Sequence, residues 1–259
     1  MKKHISYSEL KTWAECPYRH KLEYLDGLRI FKGNEFTSFG KAIHAVGEKF
    51  LVEDSNTAPE EYFELQFLNE LKSLTQEDKD LKLDSSLVQK MRQQGALLAP
   101  QMIPGLKEYF EEFDVFSVEE RLYEPIEEEE NNFKGFIDLV LKKDDEYHII
   151  DWKTCSWGWK QQKKQDRLVT YQLTLYKHFF AKKHDIDPKN IKTYFALLKR
   201  TAKQDQIEIF QVSAGPKKTQ NALNLLSTAM YNIKNRQYVK NKLSCMYCPF
   251  KDKPTICKK

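Results

Sequence analysis

No apolar stretch in this 259-residue chain approaches the roughly 18 residues that a membrane-crossing helix needs. Met1 to Trp13 lacks the apolar centre of a secretory leader. A soluble, cytoplasmic protein with no membrane partner is therefore expected. Glycine and proline are scarce, nine of each, which excludes a collagen-like or largely disordered chain. Five cysteines without a leader do not suggest a disulfide framework, because a reducing compartment keeps thiols free. Metal ligation is the alternative to weigh. Charge of one sign is also missing: 42 basic residues face 38 acidic ones, for a net +4, a balance that permits an anionic partner without demanding one. No glycine-rich phosphate cradle is present, which argues against a small-phosphate hydrolase. What is there is 41% hydrophobic, enough for one globular domain of ordinary to large size.

Ser6 with Glu9 three residues on reads as a capping box that opens a short helix, and Pro17 starts a second. Leu10, Trp13, Leu22 and Leu25 have the spacing of buried helix faces. A helix is expected over Thr37–Leu51, with Phe39, Ile43, Val46 and Phe50 on its apolar side and Gly40, His44 and Gly47 on another. Residues 54–112 repeat apolar positions at three and four spacing and read as a helical insertion without a catalytic grouping. After Phe113 the period changes. "VFSVEERLYEPI" predicts a first strand, "FKGFIDLVLKKDDEYHIIDWKTC" a hairpin, and "RLVTYQLTLYKHFFAKKH" a helix. "IKTYFALLKR" and "QIEIFQVSA" then give two more strands, and a last helix is expected over about Lys217 to Val239. This mixture predicts an α/β or α+β domain with a mixed central sheet flanked by helices.

The hairpin carries the chemistry. With a two-residue turn at Asp144-Asp145, Lys143 pairs with Glu146 and Asp138 falls opposite Asp151. Alternation puts Asp151 and Lys153 on one face, with Ile150 and Trp152 on the other. Like charges directly opposite destabilise a sheet, and close carboxylates must share a proton or bind a cation. Oxygen ligands suit Mg²⁺ or Mn²⁺, and Lys153 beside such an ion would orient water or stabilise charge on a phosphate. A solvated, exposed sheet face is the plainer alternative. Taken singly, His44, Gln172 and Tyr176 read as ordinary polar groups on helices.

In chain order, "FGKAIH", "GFID", "DWK" and "QLTLY" resemble the RecB-like branch of the PD-(D/E)XK nucleases, and "SYSELKTWAECPYRHKLEY" is similar to that branch's entry motif. The resemblance does not cover residues 54–112. It implies a restriction-endonuclease-like core in a single domain. His44, Asp138, Asp151 and the Trp152 carbonyl would be metal ligands, Lys153 the catalytic lysine, and Gln172 and Tyr176 would stand beside them. It further implies a metal-dependent DNA exonuclease of recombination, repair or phage DNA metabolism, acting on a free or single-stranded end, with a recombination or helicase protein as a conceivable partner. Asp151 stands where this branch often has glutamate, which shortens the reach but keeps the charge. Rival readings are an endonuclease, a metal-dependent phosphatase, and a DNA-binding module that keeps the fold without cutting.

Cys245, Cys248 and Cys257 lie close together, with Cys16 at the far end of the chain. Four thiolates suit a [4Fe-4S] cluster or Zn²⁺. The same resemblance implies the cluster, with one N-terminal and three C-terminal cysteines clipping segment 240–259 to the first helices; the long final gap keeps zinc open. Cys155 reads as structural. Lys160, Lys163, Lys164 and Arg167, just after Trp157 and Trp159, suit phosphate contact with base stacking, or a solvated charged loop.

Overall fold

The computed structural model describes residues 3–28, 30–53 and 55–257. In chain order the strands and α-helices are β1 His4–Ser6, α1 Tyr7–Glu15, α2 Pro17–His20, α3 Glu35–Val52, α4 Pro59–Glu77, α5 Ser85–Leu98, α6 Met102–Phe110, β2 Asp114–Pro125, β3 Asn132–Lys143, β4 Glu146–Cys155, α7 Gln161–Gln165, α8 Arg167–His184, β5 Ile191–Lys199, β6 Ile207–Gln211 and α9 Pro216–Lys234. Capping explains several starts. Ser6 accepts from the Glu9 amide at α1, Asn34 and Thr37 cap α3 reciprocally, and Asp166 accepts from the Leu168 amide at α8. The last helix ends at Lys234 rather than near Val239, and Leu25 is 39% exposed rather than buried. α9 stops where Arg236 turns left-handed at φ 55°, and Leu25 closes a single π-helical turn, Lys21–Leu25, that follows α2. Among the described residues no helix is long and apolar enough to cross a membrane.

Six strands form one mixed sheet in the order β1-β3-β4-β5-β6, with β2 also paired to β3. Alternation along β4 and β5 divides the core in two, and β3 changes phase at Asp138, since Ile137 and Leu139, two residues apart, lie in opposite halves. Ile137, Val140, Ile149, Phe195 and Leu197 pack with α1, α8 and α9, whereas Leu139, Leu141, Ile150, Trp152 and Ala196 pack with α3 to α6. Burying aliphatic and aromatic side chains on both faces, at about 25 cal/mol per Å² of apolar surface, makes the middle strands rigid supports.

The edge of β3 that faces β4 decides where chemistry can occur. β4 pairs with β3 only from Lys143↔Glu146 to Leu139↔Ile150, while β1 pairs with the other end of β3 at Asn132 to Lys134. Beyond Ile150, β4 continues along β5 as far as Cys155↔Lys199. The Gly135–Asp138 stretch of β3 is therefore left unpaired on this side, at a fork between β1 and β4. The two-residue turn forms as expected, with Asp144 in the left-handed region at φ 54°. The expected Asp138–Asp151 pair lies one step beyond the last hydrogen-bonded pair.

Candidate active site

At the fork, backbone groups no longer used in the ladder are taken up by side chains. The Trp152 amide donates to Asp138 Oδ2 at 2.7 Å, fixing the Asp138 carboxylate. Asp151 is 1% exposed. Its Oδ1 accepts from Gln172 Nε2 at 2.7 Å, and Lys153 Nζ lies 2.6 Å from its Oδ2. Gln172 Nε2 is also 3.2 Å from the Tyr176 hydroxyl, one helical turn further along α8. Gly135 permits this approach, because a Cβ there would sit 2.8 Å from Tyr176 Cε1. From the opposite face α3 delivers His44, whose Nδ1 is 3.7 Å from Asp138 Oδ1, too far for a hydrogen bond. Gly47 lets α3 lie close to the sheet, since a Cβ there would meet Trp152 Nε1 at 3.2 Å.

Electrostatics follow from the crowding. Burial and the Asp151 charge push the Asp138 carboxyl well above the usual carboxylate range. Burial opposes the charge of Lys153, but Asp151 and Asp138 outweigh it and hold the ammonium above its ordinary value. Burial, aided by Lys153, lowers His44 to about 4, so at neutral pH the imidazole is neutral, the form that ligates metals. The ring also meets the Trp152 backbone. Two acids that repel each other, a neutral imidazole and a backbone carbonyl are a donor set that a hard divalent ion would relieve. Among the described residues, however, no three His, Cys, Asp or Glu groups are already drawn into a metal-binding cluster. The Lys153 ammonium neutralises the Asp151 carboxylate.

A second acidic pair borders the site. Val118↔Leu139 and Glu120↔Ile137 bracket Glu119 opposite Asp138, and Glu119 adopts φ 48°. Its carboxyl shares a hydrogen bond with Glu48, one turn beyond His44 on α3. Desolvation and the Glu48 charge raise Glu119 to about 7, and Glu48 is raised mainly by burial. Sequence reasoning missed both residues. Helical spacing from His44 could have found Glu48, whereas Glu119 depends on a left-handed residue in β2 that has no local signal.

The pair predicts a pH effect in the metal-free protein. The folded state retains protons that the unfolded chain releases near pH 4.5, so this contribution to stability is fully present below that pH and is lost as pH rises to about 7. Allowing for solvent screening, it amounts to about 1 kcal/mol, or roughly 2–4 °C of melting temperature. Melting curves in a chelator should show Glu119→Gln flattening the decline between pH 4.5 and 7. A slope equal to wild type would mean that the two carboxyls titrate independently.

The basic residues after β4 separate. Lys163 lies over the Trp159 ring at 4.3 Å and lines the chamber in front of Lys153, Gln172 and Tyr176. Lys164 is paired to Glu208 and faces a different groove, beside Gln161 and Lys218. Lys160 caps α7 and Arg167 begins α8, both exposed and outside the chamber lining. Trp157 is 75% exposed, whereas Trp159 packs edge-on against Phe195.

At the other end of the fold Cys16, Cys245, Cys248 and Cys257 line one small cavity. Cys16 caps the C-terminus of α1. The Glu15 carbonyl accepts from Asn241 Nδ2 at 2.8 Å and Ser244 Oγ at 2.7 Å, and the Tyr18 amide donates to the Val239 carbonyl. The two ends of the chain are thus docked by hydrogen bonds around the thiols. Burial raises the Cys248 thiol, and the neighbouring Cys16 and Cys245 push it the same way. A soft cation is the group that would relieve that repulsion. Cys155 lies away from this cavity, near Gly158 and Lys163.

A crystal structure of a "putative exonuclease" from Eubacterium rectale superposes with a TM-score of 0.57 at 13% identity, covering 96% of this chain and 88% of that one; at this identity the likeness speaks for the fold alone. The crystal structure of SSO0001 aligns at a TM-score of 0.39 and 16% identity, over 88% of this chain and 98% of that one, too low to carry an argument. No curated protein matches the chain. The model of the PD-(D/E)XK nuclease superfamily matches residues 4–257, which take in the β3–β4 fork, α8 and all five cysteines, and the chain belongs to that superfamily.

Proposed function

We propose that the protein is a divalent-metal-dependent DNA nuclease that degrades strands from their ends. The observation that carries this reading is the fork, where Asp138, Asp151 and Lys153 meet Gln172 and Tyr176 from α8 and His44 from α3. His44, Asp138, Asp151 and the Trp152 carbonyl would hold the ion, Mg²⁺ or Mn²⁺ by the hardness of the oxygen donors. When bound, such an ion polarises a phosphodiester and acidifies water within its reach. Gln172 fixes Asp151 through Oδ1, so the carboxylate is oriented before substrate arrives. Lys153 provides a positive charge that need not be recruited when negative charge grows on the phosphate, which is how preorganised groups lower a barrier. Tyr176 stands beside Gln172 with its hydroxyl against the Phe136 backbone, and burial keeps that hydroxyl protonated.

We further propose that the four cysteines lining this cavity hold a metal centre, a [4Fe-4S] cluster in preference to zinc. The arrangement of one thiol from the α1 terminus and three from the final segment supports it.

End dependence tests the reading. Linear DNA incubated with Mg²⁺ or Mn²⁺ should be degraded while closed circles of the same sequence persist, and a chelator should stop both. Rapid loss of circles would make the protein an endonuclease, and no hydrolysis of either would leave a binding module.

A further inference from the structure

The chamber in front of the fork has a volume of about 860 Å³. Three lysines outside the motif residues line it from three different elements: Lys11 on α1, Lys134 on β3 and Lys163 on α7. With Lys153 they place four cations and one carboxylate, Glu9, around one opening, in a chain whose overall charges nearly balance. Among the described residues none of Lys11, Lys134 and Lys163 has an ion-pair partner, whereas Lys164, outside the chamber, is paired with Glu208. Burial chiefly disfavours the charge on Lys163, and Lys11 and Lys153 add to it, so Lys11, Lys153 and Lys163 share one field that an anion would relieve.

Phe136 is the second observation. It lies on the unpaired stretch of β3, two residues before Asp138, and is 42% exposed, although its neighbours Gly135 and Ile137 are buried. It lines the same chamber, its backbone meets the Tyr176 hydroxyl, and Lys134 lies 5.7 Å from its ring centre. A large exposed aromatic beside a basic wall suits a base stacked on the ring while the lysines take the flanking phosphates.

We propose that Lys11, Lys134, Lys163 and Phe136 form a strand-holding subsite that accepts an unpaired polynucleotide next to the scissile phosphate. The base on Phe136 must leave its own stack, so a continuous duplex cannot engage the ring without paying to open. The inference rests on the nuclease reading and adds which residues outside the sequence motifs hold the strand.

The test is equilibrium binding in a chelator, with a labelled 12-nucleotide oligo(dT) and a blunt 12-base-pair duplex. Wild type is expected to bind the single strand at least tenfold more tightly. Phe136→Ala should weaken that binding about tenfold, as loss of one base stack implies, and Phe136→Trp should restore it. The Lys11→Ala/Lys134→Ala pair should weaken it and reduce the slope of log affinity against log salt by about 1.4, two contacts at roughly 0.7 each on a single strand. Lys182→Ala, at the far end of α8, is the control for general charge loss, and melting temperature controls for folding. Equal affinity for duplex and single strand, wild-type binding by Phe136→Ala, or an unchanged salt slope in the lysine pair would overturn the inference. If linear DNA were still hydrolysed in those cases, the nuclease reading would stand without this subsite. Absence of hydrolysis with the subsite intact would remove the nuclease reading alone.

Discussion

Asp138→Ala, Asp151→Ala and Lys153→Ala are each expected to lower hydrolysis of linear DNA by on the order of 10³-fold or more, because on the proposed reading each removes a metal ligand or a charge that acts in the transition state. Their effects on stability should differ, and that difference separates chemistry from folding. Asp138 is disfavoured as a charge by burial and by Asp151, a repulsion that Asp138→Ala removes while leaving the Trp152 amide without its acceptor, so chelator-treated Asp138→Ala should lie within about 1 kcal/mol of wild type. Lys153→Ala strands Asp151, 1% exposed, without its ion-pair partner. That should cost about 2–3 kcal/mol, below the full penalty for a buried pair because Gln172 still donates to Oδ1 and the lysine is partly exposed. His44→Ala should lose less activity and recover with raised Mn²⁺, since one neutral ligand among several can be offset by concentration. Urea unfolding beside initial rates checks all four. Asp138→Ala with wild-type activity would sink the site, and three acid and lysine variants equally destabilised would attribute the lost activity to misfolding.

The parts of this site that sequence could convey are those written in local period and spacing. The α8 stretch repeats apolar residues at helical intervals and its observed ends, Arg167 and His184, are those of the quoted segment. The hairpin turn followed from two adjacent aspartates between apolar alternations, and Lys143↔Glu146 is the pair it predicts. What sequence could not convey is where pairing stops. Whether β4 stays on β3 or follows β5 depends on long-range packing, and that choice opens the fork. The same holds for Lys164, whose charge is taken up by Glu208, 44 residues away, and for Glu119, whose place opposite Asp138 needs the register of a strand 19 residues distant. Lys11 and Lys134 were unremarkable in sequence because their common feature, one chamber, belongs to tertiary structure alone.

Replacing any one of Cys16, Cys245, Cys248 and Cys257 by serine is expected to lower bound metal to less than half of wild type, whereas Cys155→Ser should retain it. An incomplete thiolate set binds weakly, and ligation energy is part of the folding energy. The bridged span from Cys16 to Cys257 covers most of the chain, and a cross-link over more than 100 residues restricts the unfolded state by on the order of 5 kcal/mol in the chain-entropy view. The measured loss should be smaller. Asn241 and Ser244 still donate to the Glu15 carbonyl, and Tyr18 still meets Val239, so the termini keep part of their docking without metal. The expected pattern is therefore local: the segment after Val239 becomes sensitive to protease in the cysteine variants while the sheet, whose core shares none of these four residues, melts cooperatively at a modestly lower temperature. Anaerobically purified protein should carry iron and acid-labile sulfide in near-equal amounts, and zinc without sulfide would replace the cluster by a tetrathiolate zinc site. Full metal content in Cys16→Ala would refute the four-ligand centre itself, because the only thiol contributed by α1 would then be dispensable and the hydrogen bonds around Glu15 would alone join the two ends of the chain.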